Sequence, residues 1–220
     1  MNNHITTFKN TALGDVVILG NGPSIDDVDF SKLVNLHTIG VNRSWRKCRS
    51  YWHFIPPADC YFKELANGKW SANYIFTPGR LENAEEKIRR LSITPNNRTF
   101  NFITMPCDSN ERYNKKPVTD IFPNVGFTMS GVMAMELAAY IGFTTLHLVG
   151  FDGGSVGHFK TEDPRDVKST GIDHNAYHDK LFYKWQRQNI NVKVYNYSVK
   201  SLITTWTFRN SFDLLYNTER

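Results

Sequence analysis

Asp15-Val16-Val17-Ile18-Leu19-Gly20-Asn21-Gly22-Pro23-Ser24 is the stretch that decides the fold. Its first five residues are rich in β-branched side chains and stop at a glycine. That pattern reads as a strand buried on both faces, as in parallel sheets. The Gly-Asn-Gly-Pro-Ser run then reads as a tight turn into a helix. Gly20 and Gly22 admit backbone angles closed to other residues and let a ligand approach the main chain. Ser24 is placed to cap the helix, whose free N–H groups would face an anion. The expectation is a turn that holds phosphate at the carboxyl end of a strand, where ligands of open α/β sheets sit. A turn that merely saves space is the bland alternative. The run is neither the six-residue dinucleotide fingerprint nor a Walker loop, since no Gly-Lys-Ser/Thr follows.

The rest of the chain repeats the alternation. Leu36 to Val41 reads as a second strand, residues 58–62 and 72–76 as weaker ones, and 100–103, which alternates, as another. Glu82 to Leu91 reads as a polar surface helix. Ser130 to Ile141 reads as a helix ended by Gly142, and Thr144 to Val149 as the strand that follows it. That strand runs into Gly150-Phe151-Asp152-Gly153-Gly154. Asp173 to Gln188 reads as a helix and Val192 to Tyr195 as a last central strand. Residues 153–172 are polar and irregular, a candidate lid loop. The fold class expected is α/β: a single Rossmann-like domain, residues 1–220, whose mostly parallel sheet is covered by helices on both faces.

Composition narrows the function classes. The chain has 220 residues, 40% of them hydrophobic and 21% charged, which suits one domain with a real core. No apolar run nears the roughly 20 residues that span a bilayer. Met1-Asn2-Asn3-His4 does not begin a leader, and Cys48, Cys60 and Cys107 lack metal spacing. A cytoplasmic protein with free thiols is expected. The net charge of +5 gathers at Arg43, Arg46, Lys47 and Arg49 and at Lys87, Arg89 and Arg90. This suits a phosphorylated substrate or nucleic acid, and equally a solvated surface.

Four motifs occur in a telling order: the strand into Gly20-Asn21-Gly22-Pro23-Ser24; Gly40-Val41-Asn42-Arg43; Met129-Ser130-Gly131 before a helix; and the strand into Leu148-Val149-Gly150-Phe151-Asp152. The set resembles the bacterial sialyltransferases of glycosyltransferase family 42, and archaeal pterin diphosphokinase-like proteins related to them. The resemblance runs from about Val16 to Ile203. It implies nucleotide binding through Asn21, Ser24 and Asn42, beside the Gly20 and Gly22 of the expected phosphate turn, donor contact by Ser130 and Gly131, and a histidine base at His174. It also implies inverting transfer from a CMP-sugar-like donor to a hydroxyl acceptor, without metal or other cofactor. Met129 stands where the family has threonine, with Thr128 one place earlier. The family's two tyrosines after the Gly-x-Asp motif have no match; Gly154, His158 and Lys160 occupy that region.

The residues themselves leave alternatives open. His174 and His178 lie one helical turn apart, with Asp173 and Asp179 near enough to fix a tautomer. They suit a general base, an ordinary helix start or half of a metal site. Asp27-Val28-Asp29 copies the metal-binding string of other glycosyltransferases but sits where carboxylates favour a first helical turn. Asp152 suits either ribose binding or loop anchoring. Arg43, His158, Lys160 and His178 are the candidates for phosphate or acceptor contact. Trp45, Tyr51, Trp52, Phe54, Trp206 and Phe208 suit either core or base stacking. Besides a nucleotide-sugar transferase, three readings stand: a phosphotransferase using magnesium, a transferase that modifies DNA, and a non-catalytic nucleotide binder.

Overall fold

The computed structural model describes residues 5–56, 59–66, 72–78, 86, 101–105, 129–153, 175–198 and 201–209. Its strands are β1 (Asp15–Leu19), β2 (His37–Val41), β3 (Ser50–Phe54), β4 (Ala72–Pro78), β5 (Asn101–Met105), β6 (Thr145–Val149), β7 (Lys193–Asn196) and β8 (Thr207–Phe208). The helices are α1 (Asp59–Ala66), α2 (Ser130–Ile141) and α3 (Asn175–Gln188). The strands form one eight-stranded sheet in the order β5-β4-β3-β2-β1-β6-β7-β8. Every pairing is parallel. The chain builds from β1 toward β5, then returns to the other side of β1 as β6. The order therefore reverses between β1 and β6, and the glycine-rich turn leaves β1 at that point.

Residues 16–19 of β1 are buried to the last atom or nearly so. Val16 and Ile18 join the larger core with α2, α3 and the 3-10 segment Ile5–Phe8. Val17 and Leu19 face a smaller core under the 3-10 segments Pro23–Asp27 and Phe30–Leu33. Burial of each such side chain contributes about 1.5–3 kcal/mol, so a continuous apolar run is stable only inside a covered sheet. Helix α2 is apolar almost all round, with eight residues buried, and crosses the central strands. Its one carboxylate, Glu136, accepts a 2.8 Å hydrogen bond from the Trp185 indole of α3, and burial pushes its pKa up. Gly142 ends α2 at φ 115°, a conformation that favours glycine.

Two sequence expectations need correction. Residues 59–66 are helix α1, not strand. The strand beside β2 is instead β3, whose Trp52 and Phe54 belong to the core while Tyr51 is half exposed. The final strand β7 is not central, because it lies one place from the sheet's edge, beside the two-residue β8. The expected helix at 82–91 lies outside the described residues, apart from residue 86. Among the described residues no helix is long and apolar enough to cross a membrane.

Candidate functional site

The carboxyl ends of β1, β2 and β6 meet in a network that the glycine-rich turn organises. Gly20 N–H donates to Val149 O at 2.7 Å and Gly22 N–H to Gly150 O at 2.8 Å. The Ser24 N–H and hydroxyl both donate to Asp152 Oδ2, at 3.1 and 3.0 Å. Ile25 N–H returns to Gly22 O. These donors serve the protein and leave no row of amides for phosphate, which revises the cradle expected from the sequence. The segment after Gly22 is only a five-residue 3-10 turn without a side-chain cap, so Ser24 is not a helix cap.

The glycines have a different reason from the one expected. Gly22 has φ −68°, and neither it nor Gly20 is among the residues with positive φ. A Cβ on Gly22 would instead collide with the Asp152 carboxylate and the Gly150 carbonyl, and one on Gly20 with that same carbonyl. Glycine is needed because two strand ends touch there. Asp152, open between two roles in the sequence, is seen anchoring this turn, with 1% of its surface exposed. A second layer fixes Asp152 in turn. Ser198 Oγ accepts from Phe151 N–H at 2.7 Å, Ser201 Oγ donates to Phe151 O at 2.8 Å, and Leu202 N–H donates to Asp152 O at 2.7 Å. Asn196 Nδ2 donates to Ser201 Oγ at 2.8 Å. Sequence reading missed these residues; their one signal was polar side chains clustered just past the end of a strand.

Beyond β2 the chain turns by another device. Asn42 adopts φ 54°, the left-handed region. Its N–H donates to Phe54 O at 2.9 Å, and its carbonyl accepts from His53 Nε2 at 2.8 Å. Ser44 Oγ accepts from Val41 N–H and closes the turn. His53 is wholly buried, and desolvation lowers its pKa to about 4. The ring is therefore neutral near pH 7. A carbonyl can only accept, so the proton sits on Nε2, and Nδ1 accepts from the Ser50 hydroxyl at 2.9 Å.

Asn21 and Asn42 share one property. The side-chain oxygen of each is buried and has no hydrogen-bond partner among the described residues. The β1–β2 register pairs Leu19 with Gly40, so both asparagines stand two residues beyond the same rung. An unmet buried polar atom costs about 1–3 kcal/mol, and these two follow the ends of neighbouring strands.

The other candidates divide by position. Ser130 and Gly131 open α2, where a Cβ on Gly131 would press on the Phe151 ring. That seats the start of α2 against the end of β6. Arg43 is turned to Glu64 of α1 at 2.8 Å and lies over the Tyr61 ring; Arg46 reaches the same carboxylate at 3.2 Å. The basic cluster is thus partly a structural ion-pair network. Asp29 caps the start of the segment Phe30–Leu33 through Ser31, whereas Asp27 is exposed and ends the segment Pro23–Asp27 rather than starting a helix. The Asp179 carboxylate accepts from the backbone N–H and hydroxyl of both Thr204 and Thr205. These bonds hold its pKa below the usual value against the opposing effect of burial. His158, Lys160 and His174 lie outside the described residues, as do Asp173, Gly154 and nearly all of the candidate lid. His178 falls within α3, with its side chain outside them.

By sequence, no protein-family model and no curated protein matches the chain. By structure it is similar to the sialyltransferase CstII from Campylobacter jejuni in complex with the substrate analogue CMP-3FNeuAc. The two share 17% identity at a TM-score of 0.52, over 90% of this chain and 86% of that one. The monofunctional α-2,3-sialyltransferase Cst-I from the same organism gives 16% identity and 0.54, over 88% and 78%. The MAf glycosyltransferase from Magnetospirillum magneticum AMB-1 gives 17% and 0.60, over 94% of this chain but 37% of that protein. At such identities the likeness is one of fold: this chain shares the α/β architecture of these sialyltransferases and glycosyltransferase.

Proposed function

We propose that the protein is a glycosyltransferase that takes a sugar from a CMP-activated donor and passes it to a hydroxyl acceptor. The observation that carries this reading is the pair of buried, unpartnered amide oxygens on Asn21 and Asn42. Asn21 follows β1, where the described sheet reverses its order, and Asn42 follows the neighbouring β2, in a fold shared with sialyltransferases whose structures hold CMP. An amide oxygen accepts hydrogen bonds, so it calls for ribose hydroxyls or a base amine, groups that a phosphate lacks. Each asparagine also has an amide NH2 that can donate to the phosphate.

In this reading the nucleoside rests on Asn21 and Asn42. Gly20, Gly22, Ser24 and Asp152 keep the turn in place, and Ser130 and Gly131 border the donor. His174 takes the proton of the acceptor hydroxyl as its oxygen attacks the anomeric carbon from the face opposite the leaving CMP, with inversion. The negative charge on CMP is met by protein donors, among which His158, Lys160 and Arg43 are the candidates, without metal.

The test is a thermal-shift and calorimetric comparison of CMP, UDP, GDP and ATP, each with and without magnesium. The expected result is stabilisation by CMP that magnesium does not alter. Binding of ATP alone, and only with magnesium, would overturn the proposal in favour of phosphotransfer. No binding of any nucleotide would remove both.

A further inference from the structure

A histidine with no place in the sequence-based site controls one of its two asparagines. We infer that His53 is a positioning residue for nucleotide binding: its Nε2–H holds the Asn42 carbonyl and thereby keeps the Asn42 side chain at the crevice in a left-handed backbone. The inference rests on the proposed nucleotide site and names a residue that acts through another.

Three observations support it. Asn42 is one of only two non-glycine residues with positive φ among those described; such a backbone costs most L-residues about 1–2 kcal/mol, and asparagine less. Its two main-chain polar groups are bound by neighbouring residues at the end of β3, the N–H by Phe54 O and the carbonyl by His53 Nε2. The His53 ring is closely seated. Gly40 pairs with His53 across β2 and β3, and a Cβ on Gly40 would collide with Nδ1 and Cε1. Ser50 Oγ, which the same Cβ would also meet, bonds Nδ1 at 2.9 Å. The absent side chain at position 40, the hydroxyl at 50 and the ring at 53 therefore settle where the side chain at 42 stands. A buried histidine that served packing alone would need neither a glycine opposite its ring nor a carbonyl in a strained turn.

The experiment measures CMP affinity by calorimetry for the wild type, His53→Met, His53→Gln, Asn42→Ala and the double variant His53→Met/Asn42→Ala. Methionine fills the space without a donor, whereas the glutamine amide can return an N–H to the place of Nε2. Affinity is expected to fall about tenfold or more in His53→Met, to stay within about threefold of wild type in His53→Gln, and to fall little further in the double variant. Should His53→Met not fold, Ser50→Ala, which frees Nδ1 and leaves the ring present, takes its place with an expected loss of about threefold. The backbone carbon chemical shifts of Asn42 are recorded for every variant without nucleotide, and they should leave the left-handed range in His53→Met and return in His53→Gln. A folded His53→Met that binds CMP as the wild type does, or keeps the Asn42 shifts, overturns the inference. If no variant binds CMP, including the wild type, the proposed function fails, and the shifts alone decide what His53 does to Asn42.

Discussion

The turns after β1 and β2 present the same group, an asparagine oxygen buried without a partner, and reach it by opposite means. The first is full of glycine yet uses no left-handed residue; its glycines make room for the strand end beside it. The second is left-handed at a residue that is not glycine, and a buried histidine and a strand-end carbonyl hold it there. Glycine in a turn thus reports crowding as readily as unusual angles, and an unusual angle can be imposed from outside. The first turn depends on β6, the second on β3, so the two should fail separately.

The largest effect that would break the comparison belongs to Gly22→Val. Its side chain would have to displace the Asp152 carboxylate and the Gly150 carbonyl, so a loss of more than about 3 kcal/mol in folding stability is expected. Urea denaturation measures it, and a variant as stable as wild type would show that the two strand ends are not in contact. Next comes Asp152→Ala, which strips both Ser24 donors of their buried acceptor. About 2–3 kcal/mol should be lost, while Asp152→Asn, which keeps an acceptor oxygen, should lose less.

The asparagines sharpen the comparison further. Both Asn21→Ala and Asn42→Ala should weaken CMP binding by about 1–3 kcal/mol. Without nucleotide they should part company: Asn21→Ala removes an unmet oxygen and should leave stability unchanged or raised. Asn42→Ala loses its unmet oxygen too but puts alanine in the left-handed region, so it should be about 1 kcal/mol less stable than Asn42→Gly. Equal stabilities for all three would mean that Asn42 is not strained.

The smallest effect concerns Asp179, whose folded pKa is lowered by its threonine partners. A depressed carboxyl pKa gives stability that is present above the unfolded value of about 3.9 and lost as pH falls through the folded one. The melting temperature of wild type should exceed that of Asp179→Asn modestly at pH 7, since the group is largely solvated. The difference should fade below about pH 4. A difference that is independent of pH would assign the clamp to Thr204 and Thr205 hydroxyls meeting any acceptor there.

Much of the architecture was legible because it rests on local pattern. The apolar run 16–19, the helix 130–141 with Gly142 behind it, and the strand 145–149 all appear where periodicity and punctuation put them. Strand β3 was not, since Ser50-Tyr51-Trp52-His53-Phe54 mixes aromatics with polar groups, and only its neighbours show that His53 and Ser50 satisfy each other. Helix α1 was misread as a strand because an eight-residue stretch with two aromatics carries little periodic signal.

By itself, the sequence determined the alternating α/β plan, the position of the turn at the end of β1, and the choice of Asn21 and Asn42 as residues of interest. The first two follow from residue type and spacing along a short piece of chain, and the asparagines from the resemblance carried by the ordered motifs. Tertiary structure alone decided that the turn's amides are already spent on Val149 and Gly150, that Asp152 anchors Ser24, and that His53 governs Asn42. Ser24 and Asp152 are 128 positions apart. Whether a donor is free or occupied depends on what the parallel sheet brings beside it, and no local pattern carries that information.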